Sequence, residues 1–246
     1  MLLPLLLSAA LPPRLATAAT PAPAGERVAE QEVKVDVAPP EVRTRTFDPK
    51  NPPSDMPPLK PGEAAVTQSN FSAQALIGAL VVDQTPGDKQ CAATVRVNSV
   101  SLTARLEITI WLPQGGATKL TAHEDGHRRI DEQFYAGAEK VARELSERML
   151  TREFKGTAGV CDEAVQAAIQ KAGNELCGQY MDAVQRPAAR AQEIYDELTD
   201  HGRNKLGEDA AIRQAVEQEK RERDGKRAGR AAEARMSGPE RPVNNE

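Results

Sequence analysis

Residues 121–149 read TAHEDGHRRIDEQFYAGAEKVARELSERM, and this stretch has the hydrophobic spacing of a helix with one buried face. The side chains at steps of three or four residues are His123, His127, Ile130, Phe134, Ala138, Val141, Leu145 and Met149. Side chains with that spacing share one face of an α-helix. We therefore predict a helix from about Thr118 to Lys155, with or without a break, whose core-facing stripe includes both histidines.

The same stretch contains an H-E-x-x-H sequence, which runs from His123 to His127. On a helix these two histidines lie one turn apart, so their ring nitrogens can bind one Zn²⁺ at about 2.0–2.1 Å. Glu124 lies beside them, where its carboxylate can take a proton from a zinc-bound water. The alternative is a pair of core histidines, but burying each ring without a partner costs on the order of 1–3 kcal/mol. The pattern favours zinc ligation by His123 and His127, with Glu124 as the general base.

A third zinc ligand must come from elsewhere in the chain, because a catalytic zinc normally has three protein ligands and a water. The chain has three histidines, and the remaining one is His201. A helix that begins after Pro187 would align Ile194, Leu198 and His201 on one stripe. We predict His201 as the third ligand. Two alternatives stay open: Glu197 on the same face supplies a carboxylate ligand instead, or His201 is an unrelated surface or capping residue.

Two segments of the chain, HEDGHRRI at 123–130 and YDELTDHGRNKLG at 195–207, together resemble a known family. It is a bacterial family of predicted secreted zinc-dependent proteases, which pairs an H-E-x-x-H helix with a downstream Tyr-Asp-x-x-Thr-x-His-Gly segment. The resemblance covers roughly residues 71–207. It implies zinc ligation by His123, His127 and His201, with Glu124 as the base. It further implies supporting roles for Tyr195, Asp196, Thr199 and Asp200.

The remaining sequence divides the chain into four segments. Residues 1–18 begin with an apolar run and end in Ala16-Thr17-Ala18, which is the pattern of a signal peptide. Residues 19–62 hold ten of the eighteen prolines, so we predict a linker without regular structure. We predict a zinc metallohydrolase domain at 63–213 and a charged, disordered tail at 214–246. We expect an exported protein, periplasmic or extracellular, without stable membrane insertion after signal removal.

The first third of the predicted domain has the alternation of half-buried strands at Cys91–Val100 and Leu102–Trp111. The rest is helical in three pieces: the helix of the two histidines, a second at about Asp162–Gln185, and a third after Pro187. The prediction is an α+β fold of zincin type. It consists of a small antiparallel sheet followed by three helices, with the metal between the first and third.

The net charge of the chain and the position of one predicted strand restrict the classes of function that fit the sequence. The net charge of -4 and the pI near 5.6 argue against nucleic-acid binding. The strand at Leu106–Trp111 precedes the active helix and could pair its edge with an extended peptide, which favours a peptidase acting on peptide or protein substrates. Two alternatives stay open: a non-catalytic exported zinc-binding protein, and a zinc amidase acting on cell-wall peptides. In an oxidising compartment, Cys91 is expected to pair with Cys161 or Cys177.

Overall fold

The structure of the protein is a computed structural model, and it describes residues 31–204 and 206–236. These residues form five strands and four helices. The predicted signal peptide at 1–18, the start of the predicted linker and the end of the predicted tail lie outside the described residues. In the described ranges, no helix has both the length and the apolar character that a membrane-crossing segment needs.

One sheet forms the base of the fold, and its central strand is the long β4 (Cys91–Pro113). The strand β3 (Val66–Pro86) runs antiparallel along one edge of β4. The other edge carries three shorter strands in succession, which are β5 (Glu153–Ala158), β1 (Glu32–Val37) and β2 (Glu41–Phe47). Of these, β5 is antiparallel to β4, whereas β1 and β2 are parallel to it.

The predicted antiparallel sheet is wrong, because β1 and β2 run parallel to β4 and make the fold a mixed α/β arrangement. Both strands lie in segment 19–62, for which the sequence predicts a linker. Pro39 and Pro40 between them have no N–H group and interrupt the ladder. Among the described residues both strands pair on one side only, and an edge strand tolerates such interruptions. The prolines therefore break an edge strand in two and do not form a linker here.

The central strand carries the core on one face. Its buried side chains alternate along the strand, but the alternation changes phase at Asn98 and Ser99, where the ladder with β3 contains a bulge. The sequence predicts two separate strands here, and the structure has one bulged strand. Because β4 is paired along both edges, the predicted free edge at Leu106–Trp111 is wrong. Within the described residues, the free edges near this point belong to β3 and β2.

The helices are α1 (Thr118–Tyr135), α2 (Ala138–Met149), α3 (Cys161–Thr199) and α4 (Glu208–Met236). A short turn at Gly137 divides the first two, at the position where the predicted histidine helix allows a break. The inner face of the sheet packs against α2 and α3, which together enclose the main hydrophobic core. The strand β5 lies between α2 and α3 in the chain, so the strands do not all precede the helices.

The helix α3 is 39 residues long and contains Pro187, whereas the sequence predicts two helices separated by that proline. A proline inside a helix removes one backbone hydrogen bond and costs about 3 kcal/mol or more. Burial of one helix face on both sides of the proline offsets that cost. The residues buried there in the main core are Ala172, Leu176, Tyr180, Val184 and Ala188.

The helix α4 packs on α1 and α3, although the sequence predicts a disordered tail from residue 214. Its first turns bury Ala211, Ile212 and Ala215 in a second core with Ile130 and Tyr195. Three small or aliphatic residues on one face are enough to dock a helix whose other faces are charged. Further along, residues 224–229 are exposed, in agreement with the charged sequence of that part.

A disulfide joins Cys91 at the start of β4 to Cys161 at the start of α3. This is one of the two pairings that the sequence predicts, and Cys177 takes no part in it. The bridge fixes the first turn of α3 against the sheet. The same continuous helix then reaches the histidines of α1 with its other end.

Candidate metal centre

A cleft lies where α1, the last turns of α3 and the start of β3 meet. The helix α1 contributes His123, Glu124 and His127 to it, and α3 contributes Gln192 and Asp196. All three residues from α1 are buried, because the histidines lie against α3 and Glu124 lies against the start of β3. The H-E-x-x-H sequence therefore has its predicted orientation, with both imidazoles turned into the fold.

Three ligand atoms converge in this cleft. His123 Nε2 lies 3.2 Å from His127 Nε2, and Asp196 Oδ1 lies 3.2 Å from the first and 3.0 Å from the second. Ligand atoms bound tetrahedrally to one zinc at about 2.0–2.1 Å stand about 3.3–3.4 Å apart. The three atoms form a triangle close to that size, so His123, His127 and Asp196 could hold one metal ion.

A chain of polar side chains orients His127. Its Nδ1 lies 2.9 Å from Gln192 Oε1, the Gln192 amide donates to Asp131, and Ser69 donates to the other Asp131 oxygen. An ionised carboxylate only accepts, so Asp131 turns the amide oxygen of Gln192 toward the histidine. His127 Nδ1 must then carry a proton, so Nε2, which faces Asp196, is the nitrogen that could bind a metal.

Thr199 and Tyr195 of α3 hold His123. The Thr199 hydroxyl donates to the Tyr195 backbone oxygen at 2.7 Å. Its own oxygen can therefore only accept from His123 Nδ1, which lies 3.5 Å away and makes a weak contact. The Tyr195 ring stacks on the His123 ring with centroids 5.0 Å apart, and the Tyr195 hydroxyl donates to Glu208 of α4. Both histidines thus present Nε2 to the same point.

Two glycines allow α1 and the end of α3 to approach this closely. A Cβ on Gly126 would lie 2.5 Å from Tyr195 Cζ, closer than side-chain atoms pack. Gly202 has a φ of +76°, and a Cβ there would lie 3.0 Å from His123 Cγ. A glycine in each of the two motif segments therefore permits the contact that brings the segments together.

Glu124 lines the same cleft and is 4% exposed. Thr67 donates to its Oε2 at 2.8 Å and to its backbone oxygen at 3.0 Å. Burial raises the pKa of Glu124 above its ordinary value, although the nearby His127 opposes this shift. A carboxylate with a raised pKa can accept a proton and return it more readily near neutral pH.

The Asp196 carboxylate is the negative centre of the ligand group. Burial disfavours its charge, but its hydrogen bonds with His123 and His127 hold the pKa of Asp196 well below its ordinary value. Burial also opposes the protonation of His127, while Asp196 raises the pKa of that histidine above its usual range. Behind them, burial raises the pKa of Asp131 to about 6. An ionised carboxylate with two imidazoles is a donor set that binds divalent cations.

The end of α3 explains why His201 is not part of this group. The helix ends at Thr199, and the N–H groups of Asp200 and His201 both donate to the Asp196 backbone oxygen. This is a common form of C-terminal helix cap. Asp200, His201 and Gly202 then adopt left-handed backbone conformations, with φ of +50°, +51° and +76°. His201 therefore lies beyond the helix and off the stripe that the sequence predicts for it.

Asp196, and not the predicted third ligand His201, lies against the two histidines of α1; His201 belongs with Glu63 and Asp196 to a second group whose ligand atoms are close enough together to hold a metal ion. His201 Nδ1 lies 3.6 Å from Asp196 Oδ1, and its side chain is 34% exposed in the wall of the cleft. The rival Glu197 is exposed and faces Arg190 at 3.9 Å. A carboxylate does complete the group, but it belongs to the neighbouring residue, for which the sequence predicts only a supporting role.

The other predicted supporting residues differ in position. Tyr195 and Thr199 both contact His123, as described above. Asp200 is exposed, and its carboxylate accepts a hydrogen bond from Arg203 at 2.9 Å. Tyr195 and Thr199 can therefore orient His123, whereas the Asp200 carboxylate is directed to Arg203.

Sequence reasoning missed several residues in and directly behind the cleft. Asp131 follows His127 by four residues and Gln192 precedes Asp196 by four, so both share a helix face with a ligand. That spacing could have identified them. Thr67 and Ser69 carried no comparable signal, because the strand β3 was absent from the predicted fold.

Comparisons of the chain with models of protein families, with curated proteins and with solved structures find no match. The resemblance to secreted zinc-dependent proteases therefore stays a prediction based on two segments. The geometry by itself supports a coarser conclusion. The chain has a buried His123-His127-Asp196 group that could bind a metal ion, with Glu124 in the same cleft.

Proposed function

We propose that the protein is a zinc-dependent hydrolase whose substrates are peptides or proteins. The observation that carries this proposal is the presence of three converging ligand atoms and one buried carboxylate in a single cleft. A metal-dependent hydrolase needs both features. The ligands must leave a position for water, and a base must lie beside that position.

The donor set and its neighbour favour zinc over other metals. Two imidazoles and one carboxylate, with water in the fourth position, form a common catalytic zinc site. The same three donors bind iron(II) in oxygenases. Glu124 decides between them in this proposal, because a buried base next to the ligands is what hydrolysis requires.

Peptide hydrolysis at this site would need few residues of the chain beyond the three ligands and Glu124. A zinc ion in the ligand group would polarise the substrate carbonyl and acidify the attacking water. Glu124 accepts the proton of that water and then gives it to the leaving amine. Thr67 holds one Glu124 oxygen at 2.8 Å and so keeps the carboxylate in place while its proton is exchanged. Gln192 keeps the His127 ring in the orientation that ligation needs.

A peptide substrate is favoured by the strand at the cleft. Residues 64–67 lead into β3 and line the cleft. Within the described part of the chain β3 pairs only with β4, so its outer edge has backbone groups available for pairing. An extended peptide can add to such an edge through main-chain hydrogen bonds.

Two other functions use part of the same site. A structural zinc site is normally closed by four protein ligands, whereas this group has three and opens onto a cleft. A zinc amidase acting on cell-wall peptides would need the same residues as a peptidase, and substrate profiling separates the two. Export of the protein is supported by the Cys91–Cys161 disulfide, because disulfides persist in oxidising compartments.

The decisive test combines metal analysis with Glu124→Gln. Purified protein is expected to contain about one zinc per chain, and cleavage of a fluorogenic octapeptide library is the activity measured. Glu124→Gln should retain the zinc and lose activity by about 100- to 10,000-fold, because an amide cannot accept the proton. Glu144→Gln, an exposed substitution of the same kind on α2, is the matched control and should behave as wild type. Full activity in Glu124→Gln, or protein without bound metal after zinc loading, would refute the proposal.

The choice of third ligand has its own test. His201→Ala should retain zinc within about tenfold of wild-type affinity, because His201 lies outside the ligand triangle. Zinc affinity is measured by competition with a chelating dye. A loss in His201→Ala as large as that in His123→Ala would restore the histidine triad that the sequence predicts.

A further inference from the structure

A second cavity adjoins the metal cleft and has a different chemical character. It has a volume of about 620 Å³ and is formed mainly by the chain between β2 and β3. In the described residues its lining includes six prolines together with Phe47, Met56 and Leu59, and its one charged residue is Glu63. Cavities of about 300–1,000 Å³ with such apolar linings are typical binding pockets for small apolar groups. We call it the proline pocket.

The proline pocket lies directly beside the metal cleft. Glu63 and Ala64 line both cavities, so they form the partition between them. Glu63 is fixed there, because the Lys60 backbone N–H donates to its carboxylate at 2.8 Å and the Lys60 ammonium lies 3.6 Å away. Ala64 has a side chain of one carbon, so no bulky side chain stands at this point of the partition. A chain bound in the cleft can therefore extend a side group across Ala64.

The walls of the pocket are held in place without a bound ligand. Each proline ring fixes its own φ, so the segment has few alternative conformations. An ion pair between Arg45 of β2 and Asp55 ties the middle of the segment to the sheet, and the Arg45 guanidinium also stacks 4.0 Å above the Trp111 ring. A preformed pocket binds its ligand without the entropy cost of ordering its walls. The proline-rich composition therefore limits the conformations that the wall of the proline pocket can adopt.

We propose that the proline pocket binds a large apolar side chain of the substrate, such as Leu, Met or Phe, next to the bond that is cleaved. This proposal rests on the proposed function. It commits to an apolar side chain because the lining offers almost only carbon atoms, and the carboxylate of Glu63 repels an acidic group. The pocket would thus determine which peptide bonds reach the metal cleft.

Affinity selection tests the proposal independently of catalysis. Randomised octapeptides are passed over immobilised Glu124→Gln protein loaded with zinc, and the retained peptides are read by mass spectrometry. We expect Leu, Met or Phe to be enriched about ten- to a hundredfold over Asp at one position. Met56→Glu and Leu59→Glu, each added to Glu124→Gln, should abolish that enrichment. Leu76→Glu is the matched control on β3, where the side chain is 77% exposed and outside the pocket, and it should keep the enrichment.

The outcomes separate the pocket from the proposed function. Absence of enrichment, or enrichment that survives in both Met56→Glu and Leu59→Glu, overturns the pocket proposal even if wild-type protein cleaves peptides. Enrichment that both substitutions abolish supports the pocket, even if no peptide is cleaved and the hydrolase proposal fails. Unchanged unfolding temperatures of the variants show that the pocket, and not the fold, has been altered.

Discussion

Replacement of Gly126 by alanine tests whether the close approach of α1 and α3 positions the ligand group. An added Cβ would lie 2.5 Å from Tyr195 Cζ and closer still to the Tyr195 hydroxyl, whereas ordinary contact begins at 3.4 Å. The tyrosine ring must therefore retreat by about 1 Å. Catalytic and binding groups need to be held within roughly 0.5 Å of their working positions. Because Tyr195 stacks on His123 and directly precedes Asp196, its movement disturbs two of the three ligands.

The expected magnitude follows from two opposing contributions to stability. Overpacking of a filled site costs about 1–3 kcal/mol, and the change from glycine to alanine inside a helix contributes about 1 kcal/mol in the other direction. Gly178→Ala on α3 isolates the second contribution, because an added Cβ there meets no described atom within 4 Å. We expect Gly178→Ala to stabilise the protein by about 1 kcal/mol, and Gly126→Ala to destabilise it by up to about 2 kcal/mol. Zinc affinity should fall by about 10–100-fold in Gly126→Ala only.

Two measurements check this prediction. Urea unfolding of metal-free protein gives the free energy of unfolding, and competition with a chelating dye gives the zinc affinity. If Gly126→Ala is stabilised as much as Gly178→Ala and binds zinc like wild type, then the contact between Gly126 and Tyr195 does not position the ligands.

Three further predictions address the ligand, the buried acid and the disulfide. Asp196→Ala should lower zinc affinity in dye competition by more than about 100-fold, while the exposed Glu197→Gln leaves it unchanged; equal affinities would contradict the ligand assignment. Burial raises the pKa of Asp131 from 3.8 to about 6, so the folded protein holds a proton that the unfolded chain releases. Relative to Asp131→Asn, the metal-free wild type should therefore lose up to about 3 kcal/mol of unfolding free energy as the pH rises from about 3, below the unfolded pKa, to about 7, above the folded pKa. Parallel pH profiles in urea unfolding would contradict this. Reduction of the Cys91–Cys161 bridge, which spans 70 residues, should cost about 4 kcal/mol in urea unfolding; an unchanged midpoint would show that the bridge does not stabilise the fold.

Strongly periodic segments of this sequence were predictable. The stripe from His123 to Met149 identified the histidine helix, and the alternation at Leu106–Trp111 identified part of the central strand. In both segments, apolar residues recur at a regular spacing along the chain, and the same residues are buried in the core. The spacing in the sequence therefore predicts the burial in the fold. The position of the two histidines and Glu124 in the cleft follows from that agreement.

Elements whose structure depends on distant partners were not predictable in the same way. The strands β1 and β2 exist because β4 offers an open edge, which no local pattern in a proline-rich segment reveals. The helix continues through Pro187 because the core on both sides holds it, against local propensity. The third ligand depends on where α3 ends. Asp196 lies within α3 on the face that meets α1, whereas His201 follows the last residue of the helix, and helix ends are set by capping contacts.

The division of the ligand group between α1 and the far end of α3 has a consequence for the order of synthesis. His127 and Asp196 are 69 residues apart in the chain. Once α1 has emerged from the ribosome, the growing chain already contains both histidines and the base. It still lacks the carboxylate that completes the group. On the proposed function, the enzyme stays inactive until the end of α3 has been made and folded back. The ribosome and the export machinery are therefore not exposed to an active peptidase while the chain is being synthesised.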